Sequence, residues 1–534
     1  MNRDRIMNTI GFSLVAFCFL WAAWRIMDRG REAADPDRVV IRFAHWQLES
    51  GIRGAFDELI RQYEERHPHV RVEQMLIPER VYSNWLITQL VGGTAPDLIE
   101  IGRPMSDERM ARYFTPLMKE VNQPNPYNEG TELEGLPWRD TFVDGLAGSP
   151  SYNPGLLDFY GVPTAMFTVR LYYNKDLYRR IAGDRPLPAT YDELIELCDL
   201  VHAYAQETGE VLIPIAGSQY NAPMILLQLW TSLTQKMALE LSTTYNLILP
   251  SDQAWMHFLK GNWDYSNPSV SVALTAMREV GRHMQSGFLS LLRDDAMFYF
   301  VQGRALMTAS GSWDIGSMYA QAPFEIAAFP IPMPSRNDPK YEDYILGPLS
   351  EAGYSAGAAF GLVQQSKHPE EALDFLRFIT SQQGNQTFSD ISLWLPSVIG
   401  VELPEKVKPF DLIVEGYTGG VVPYFGADGQ RVFRNYLHTL LDYDGSPGEF
   451  ATIMTERMPG AVIEGFRLSH AGRIRQWRRG DSLLGSLIML SESETSEELD
   501  RVRLAETLEA AVDQETMMLW VESEFETMGL SLEY

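Results

Sequence analysis

Apolar positions along the chain recur with two periods, and the two alternate. Val39-Val40-Ile41-Arg42-Phe43 is β-branched and aromatic, as a strand requires. After the loop Ala44 to Ser50, residues Phe56, Leu59, Ile60 and Tyr63 fall at i, i+3, i+4 and i+7, one apolar face of a helix that must stop before Pro68. Val70 to Met75 predicts a second strand, Tyr82 to Val91 a second helix closed by Gly92-Gly93, and Pro96 to Ile101 a third strand. Strands alternating with helices predict parallel β-α-β units with right-handed crossovers.

A stretch rich in Pro and Asn, residues 122–155, interrupts the pattern. It resumes at Tyr160-Gly161-Val162-Pro163 with a strand-like run ending at Leu171 to Asn174. Thr190 and Glu193 form a capping box opening a helix over Tyr191 to Tyr204. Val211 to Ile215 reads as a strand and 223–241 as an apolar helix. Val301 to Met307 returns to strand character, ending at Gly311-Ser312-Trp313, and Phe324 to Pro334 is a strand broken by prolines. Pro369 starts a helix whose buried face is Ala372, Phe375, Leu376 and Ile379. From about residue 470 a basic cluster (Arg473, Arg475, Arg478, Arg479) gives way to a helical acidic tail, with Leu504, Leu508, Ala511 and Val512 as its packing stripe.

Composition narrows the chemistry. The 534 residues carry a formal charge of −27, and residues 481–534 hold 14 Asp and Glu against 2 Arg, so the tail bears a large part of it. An acidic chain does not suit nucleic acid, which needs a basic face to neutralise phosphates. Cys18 and Cys198 are the two cysteines, so no disulfide framework and no Cys-rich metal site is expected. No G-x-S-x-G elbow, H-E-x-x-H metal motif or P-loop occurs, and no cofactor is expected. Asp294-Asp295 and Glu64-Glu65 are adjacent acids, but adjacency in sequence does not make a catalytic pair, and His67-Pro68-His69 reads as a turn. Arg3 and Arg5 precede an uncharged run from Ile6 to Trp24, close to the ~20 residues a membrane-spanning helix needs. Trp21 and Trp24 around Ala22-Ala23 make a poor cleavage site, so an uncleaved signal-anchor is favoured over a cleaved signal. Residues 1–35 are then anchor and tether, with the rest outside the cytoplasmic membrane.

In order and spacing, IRFAHW (41–46), FDELIRQYEERHP (56–68), APDLIEIG (95–102), YGVPTAMFTVRLYYNKDLY (160–178), TYDELI (190–195), QGRALMTASGSW (302–313), AAFPIP (327–332) and SKHPEEALDFLRFITS (366–381) resemble extracellular solute-binding protein family 1. These are the carbohydrate-type, maltose-binding-protein-like receptors of bacterial ABC importers. The resemblance implies an α/β, two-lobed periplasmic-binding-protein fold of type II, with hinge strands crossing between lobes more than once and solute in the cleft. Lobe one is expected at 38–164 plus 303–334, lobe two at 165–302 plus 335–469, and a helical acidic extension at 470–534, packed on lobe two. The implied partners are a carbohydrate ligand, ABC permease subunits and the inner membrane. A sensory or scaffolding protein on the same fold, motivated by anchor and tail, is the alternative, and an extracytoplasmic glycosidase a third.

A sugar ring has an apolar face and a polar edge, so its site needs flat aromatics and carboxylates or amides. The resemblance implies ligand contacts at Trp46 and Glu49, in the loop after the first strand, and a stacking aromatic at Trp313. Gln219 and Tyr220, in Gly217 to Asn221, occupy the matching place on the opposing lobe. Arg103, past the third strand, is a candidate clamp for a hydroxyl or carboxylate. Trp394 either lines the cleft or packs the helix before it, and Tyr354 is a weaker candidate.

Overall fold

A computed structural model describes residues 38–533 apart from 103–104, 149, 155, 244–248, 352–355, 418 and 494–497. Strand β1 (Val39–His45) runs parallel to β2 (Val70–Leu76) in unbroken register from Val39↔Val70 to His45↔Leu76, and parallel to β3 (Leu98–Ile101). The helix Ser50–Arg66 covers this sheet with Ile52, Ala55, Phe56, Leu59 and Tyr63, all buried. Its stripe lies slightly to one side of the predicted one, so Ile60 is half-buried. The helix Glu79–Gly92 ends where Gly93 turns left-handed, at φ 68°, a conformation that costs glycine no steric penalty.

A short ribbon, β4 (Tyr152–Asn153) with β5 (Asp158–Phe159), interrupts the loop-rich stretch. The remaining strands are β6 (Val162–Met166), β7 (Val169–Asn174), β8 (Ile213–Ala216), β9 (Ala305–Gly311), β10 (Ile326–Phe329), β11 (Ala356–Leu362) and β12 (Leu395–Pro396). Among the described residues they divide into a six-stranded sheet, β12-β6-β11-β3-β1-β2, and a four-stranded sheet, β10-β7-β9-β8. Each sheet has its own helices and buried core, which makes two lobes.

This topology corrects the expected boundaries. Residues 303–334 do not belong with lobe one, because β9 and β10 both pair with β7 in the four-stranded sheet. Residues 335–469 do not belong wholly with lobe two, because β11 and β12 pair with β6 in the six-stranded sheet. Strand character in a sequence does not say which sheet a strand joins. Here the antiparallel β7 accepts a neighbour on each side, and that draws both strands into lobe two.

The chain therefore crosses between lobes three times: at Phe167-Thr168, between β10 and β11, and after β12, where the turn Lys408–Phe410 packs against β7. One buried ion pair fastens all three crossings. Arg170, 1% exposed, gives Glu351 two parallel bonds of 2.6 and 3.0 Å and donates to the carbonyls of Pro409 (2.9 Å) and Asp411 (2.5 Å). Glu351 in turn accepts from the Ile413 amide at 2.9 Å.

Beyond the lobes, the helix Pro447–Ser491 passes through position 470 without a break, so the expected boundary there falls inside one element. Its Phe450, Met454, Met458, Val462 and Phe466 are fully buried in the lobe-two core. The helix Glu498–Thr527 packs against it through Thr507, Met518, Val521 and Phe525. Leu508 and Val512, expected in the packing stripe, are 42% and 61% exposed. The buried positions step by sevens from 504 and 507, so one position past each inward residue already faces solvent.

Replacing Arg170 with Met strands the Glu351 carboxylate at the hinge. Breaking such a pair costs about 3–5 kcal/mol, read as a lower urea midpoint for Arg170→Met; a loss below about 1 kcal/mol would show that the pair does not fasten the crossings.

Candidate functional site

In the six-stranded sheet β1, β2, β3 and β6 end on the side of the first crossing, and in the four-stranded sheet β8, β9 and β10 do, while β7, β11 and β12 run the other way; the carboxyl ends of strands are where open α/β sheets bind ligands. On lobe one, β1 ends at His45 and the chain turns through Trp46 and Gln47, both fastened to the buried Glu100. Its carboxylate accepts from the Trp46 amide at 3.0 Å and from Gln47 Nε2 at 2.7 Å. The Trp46 ring stands edge-on to Tyr82, 4.8 Å between centroids, with its rim over Gly102. Glu49 precedes the first turn of the helix Ser50–Arg66, so the helix dipole favours its negative charge. Its Oε2 is buried and accepts no hydrogen bond.

On lobe two, β8 runs into Gly217 to Asn221. Gln285 exchanges two hydrogen bonds with the Gly217 backbone (2.9 and 2.5 Å), and Ser218 Oγ accepts from the amides of Tyr220 and Asn221, each at 3.1 Å. Asn221 Nδ2 donates to the Ala309 carbonyl at 2.6 Å, tying the loop to β9. Tyr220 stays 38% exposed on this braced loop.

Trp313 follows β9, its ring folded back over Gly311, where a Cβ would lie 2.2 Å from it; only glycine leaves room. The Ser312 amide donates to the Thr168 carbonyl at 2.8 Å, so the turn carrying Trp313 rests directly on the first crossing. Phe167, in that crossing, stands edge-on between Trp313 (5.4 Å) and Trp394 (4.9 Å). The Trp313 indole N–H lies beside the Tyr220 hydroxyl without reaching hydrogen-bond geometry.

The structure thus brings Trp313 and Tyr220 together on lobe two and sets Trp46 and Glu49 on the facing loop of lobe one. Gln219 is exposed on the rim, its amide bonded to the Leu291 carbonyl at 3.1 Å. Of the two readings of Trp394, the structure fits packing against the helix before it and not the lining of the cleft. At 2% exposure it packs on Phe167 and Phe388, behind the hinge and out of a ligand's reach. Arg103 and Tyr354 lie outside the described residues, as does the segment 6–24. Among the described residues no helix is long and apolar enough to cross a membrane.

Two site residues escaped the sequence reading. Asp314, 2% exposed, sits next to Trp313, ion-paired to Arg293 and hydrogen-bonded by Ser310. The Arg293 guanidinium carbon lies 5.4 Å from the Tyr220 ring centroid. Burial raises the Tyr220 hydroxyl pKa, as do the charges of Asp314 and of Glu79 from lobe one, while Arg293 opposes them. The signal for Asp314 is its place beside the best aromatic candidate; Arg293 has none in sequence, since only the fold carries the start of its helix to the Trp313 turn. Asp295 caps that same helix, accepting from the Leu292 amide at 2.8 Å, which accounts for the adjacent acids.

A cavity of about 1040 Å³ lies elsewhere on lobe two, under the proline-rich segment 330–337 and beside Arg170, and none of the candidate residues lines it. The convergent aromatic and charged groups stand in the cleft instead.

The bacterial extracellular solute-binding protein model matches residues 49–386, more than half of the sequence. The chain belongs to that family. A multiple sugar-binding protein of Streptococcus mutans is 23% identical over 364 residues, covering 66% of this chain and 74% of the relative. An ABC transporter extracellular-binding protein of Pyrococcus horikoshii is 21% identical over 374 residues, 69% of this chain and 72% of its own. Among solved structures, RafE of Streptococcus pneumoniae in complex with raffinose aligns at a TM-score of 0.53 and 19% identity, over 79% of this chain and 100% of its own. A chitin oligosaccharide binding protein aligns at 0.52 and 17%, over 79% and 99%. At those identities the structures speak for the two-lobed fold. The family is one of ligand-binding receptors, and membership implies a periplasmic or cell-surface location.

The floor of the site is pH-sensitive. His45 is fully buried, and that burial pushes its imidazole down to about 4, against a Gln47 backbone group that favours the charged form. The unfolded chain takes up this proton near pH 6.5, so the contribution of His45 to stability is complete above that pH and falls as pH drops toward 4. The loss amounts to at most about 3 kcal/mol. His45→Leu should flatten denaturation midpoints across that window. Burial lowers His283 as well, so a smaller slope remains. An unchanged slope in His45→Leu would refute the assignment.

Proposed function

We propose that the chain is an extracytoplasmic receptor that closes on a carbohydrate between its lobes and delivers it to an ABC permease. The observation that supports this reading is the grouping of Trp313, Asp314, Arg293 and Tyr220 on neighbouring loops of the four-stranded sheet, with Glu49 of the other lobe within electrostatic reach of Arg293. Flat rings suit the apolar face of a pyranose, and the carboxylate suits its hydroxyls. An aromatic contact contributes about 0.5–1.5 kcal/mol beyond area burial. A hydrogen bond to a charged group adds about 1.5–3. Two rings and a few such bonds reach the ~8 kcal/mol of a micromolar receptor. The names of the relatives, which include sugar-binding and ABC transporter binding proteins, point the same way.

Hinge closure supplies the transport step. Ligand bound to both lobes stabilises the closed form by its differential affinity for that form, and the permease reads the closed surface. Residues 6–24 tether the receptor to the membrane. A sensory role on the same fold draws on the C-terminal helices, where Met489, Val512 and Leu519 are 76%, 61% and 57% exposed. A permease encoded beside this chain favours transport, and a sensor kinase favours signalling.

A panel of neutral oligosaccharides should include at least one that shifts the tryptophan emission and raises the melting temperature. Trp313→Ala should weaken that saccharide by at least about tenfold, a 1.4 kcal/mol loss, with the fold intact by circular dichroism. A panel that moves neither signal contradicts the carbohydrate reading.

A further inference from the structure

The lobe-two loop of the candidate site is held from behind by two histidines. His202 stands half-buried on the helix Tyr191–Thr208, and His283, 8% exposed, follows the end of the helix Pro268–Gly281. His202 Nε2 and His283 Nδ1 lie 3.2 Å apart, with the ring centroids 5.3 Å apart and the planes inclined at 33°. A hydrogen bond between two imidazoles needs one ring to donate and the other to accept.

The backbone at His283 leads straight into the brace of the loop. Its carbonyl accepts from the Ile215 amide of β8 at 3.2 Å. Met284 packs on Gly217 so closely that a Cβ there would come within 2.5 Å of its sulfur. Gln285 then holds both backbone groups of Gly217. Three consecutive residues thus join the imidazole pair to the loop 217–221, which carries Tyr220.

Protons reach such a pair in two steps, and the steps act differently. The first leaves the bridge intact, because a charged ring still donates to a neutral one. The second puts an N–H on both facing nitrogens, so no acceptor remains, and sets two positive charges against each other. Among the described residues, the charged groups facing His283 are Asp199, on the helix of His202, and Glu279 and Arg282, on the turns just before His283. β8, which is Ile213, Pro214, Ile215 and Ala216, brings no charge. Burial lowers the His283 pKa, and His202 and Arg282 add to the lowering, while Asp199 and Glu279 work the other way. The Glu279 carboxylate is itself held by the Tyr191 hydroxyl at 2.8 Å. His202 rides on an 18-residue helix fixed at its start by a capping box, whereas residues 283–285 lie past a helix end, so the turn is the side that yields.

We propose that the His202–His283 pair is a pH-operated latch on the candidate site: with at most one proton it holds residues 283–285 against β8 and the Tyr220 loop in place, and a second proton releases both. The hold is complete above the ordinary histidine value of about 6.5 and is lost as pH falls below it. A periplasmic or cell-surface chain meets the pH of its surroundings, so the latch makes the site answer to that pH. It does so whether or not the solute is a carbohydrate.

The test is hydrogen–deuterium exchange of the full-length chain in detergent, followed over residues 213–222 from pH 7.5 to 4.5 and corrected for the intrinsic pH dependence of exchange. An opening that takes up one proton becomes more frequent by up to about tenfold per pH unit, and residues 213–222 should lose protection on that scale before β1 and β2 do. His202→Gln puts an amide against His283 that donates or accepts as the ring requires and takes no proton, so the segment should stay protected throughout. His283→Gln does the same from the other side and serves if His202→Gln folds poorly. Protection that does not change with pH, a loss shared equally by β1 and β2, or a loss of wild-type size in the glutamine variants overturns the latch.

Discussion

The ion pair between Arg170 and Glu351 is the constraint on which the two-lobed arrangement rests. Three separate stretches of chain pass between the lobes, and each arrives from a different part of the sequence. Arg170 belongs to the first, Glu351 to the second, and the carbonyls of Pro409 and Asp411 to the third. A bidentate guanidinium–carboxylate pair defines orientation as well as distance, which a single hydrophobic contact does not.

The candidate site is built onto that hinge. Thr168 accepts from the turn that carries Trp313 and donates to the Phe410 carbonyl of the third crossing at 2.8 Å. Phe167 fills the space between Trp313 and the buried Trp394, and lies so close to Gly357 of β11 that a Cβ there would come within 1.9 Å of its ring. A change at Trp313 thus reaches both sheets through packed contacts. In the proposed receptor, closure and ligand recognition would share these side chains.

Much of this was legible in the sequence. Periodicity located the β-α-β units of lobe one and the helix face on Ala372, Phe375, Leu376 and Ile379, because one buried face per element leaves a clear local pattern. Trp313 and Tyr220 entered as candidates through the family resemblance, and the structure places both on loops that follow strands of the four-stranded sheet. Sheet membership was not legible. β9 and β11 are both small, buried strands, and nothing local separates one that joins β7 from one that joins β6. Trp394 stayed open between cleft and packing because sequence shows a tryptophan near a turn but not the Phe167 ring against it. Arg293 was invisible for the converse reason: its role arises from Asp314 and Tyr220, 21 and 73 residues away in the chain.

The central claim is that solute lies between the lobes, against the rings of one and the carboxylate of the other. A crystal structure of the chain soaked with a neutral oligosaccharide tests it most directly. The account predicts a sugar ring against Trp313 and Tyr220, with a hydroxyl on Glu49. Density instead in the cavity beneath the proline-rich segment 330–337, with the cleft empty, would contradict it.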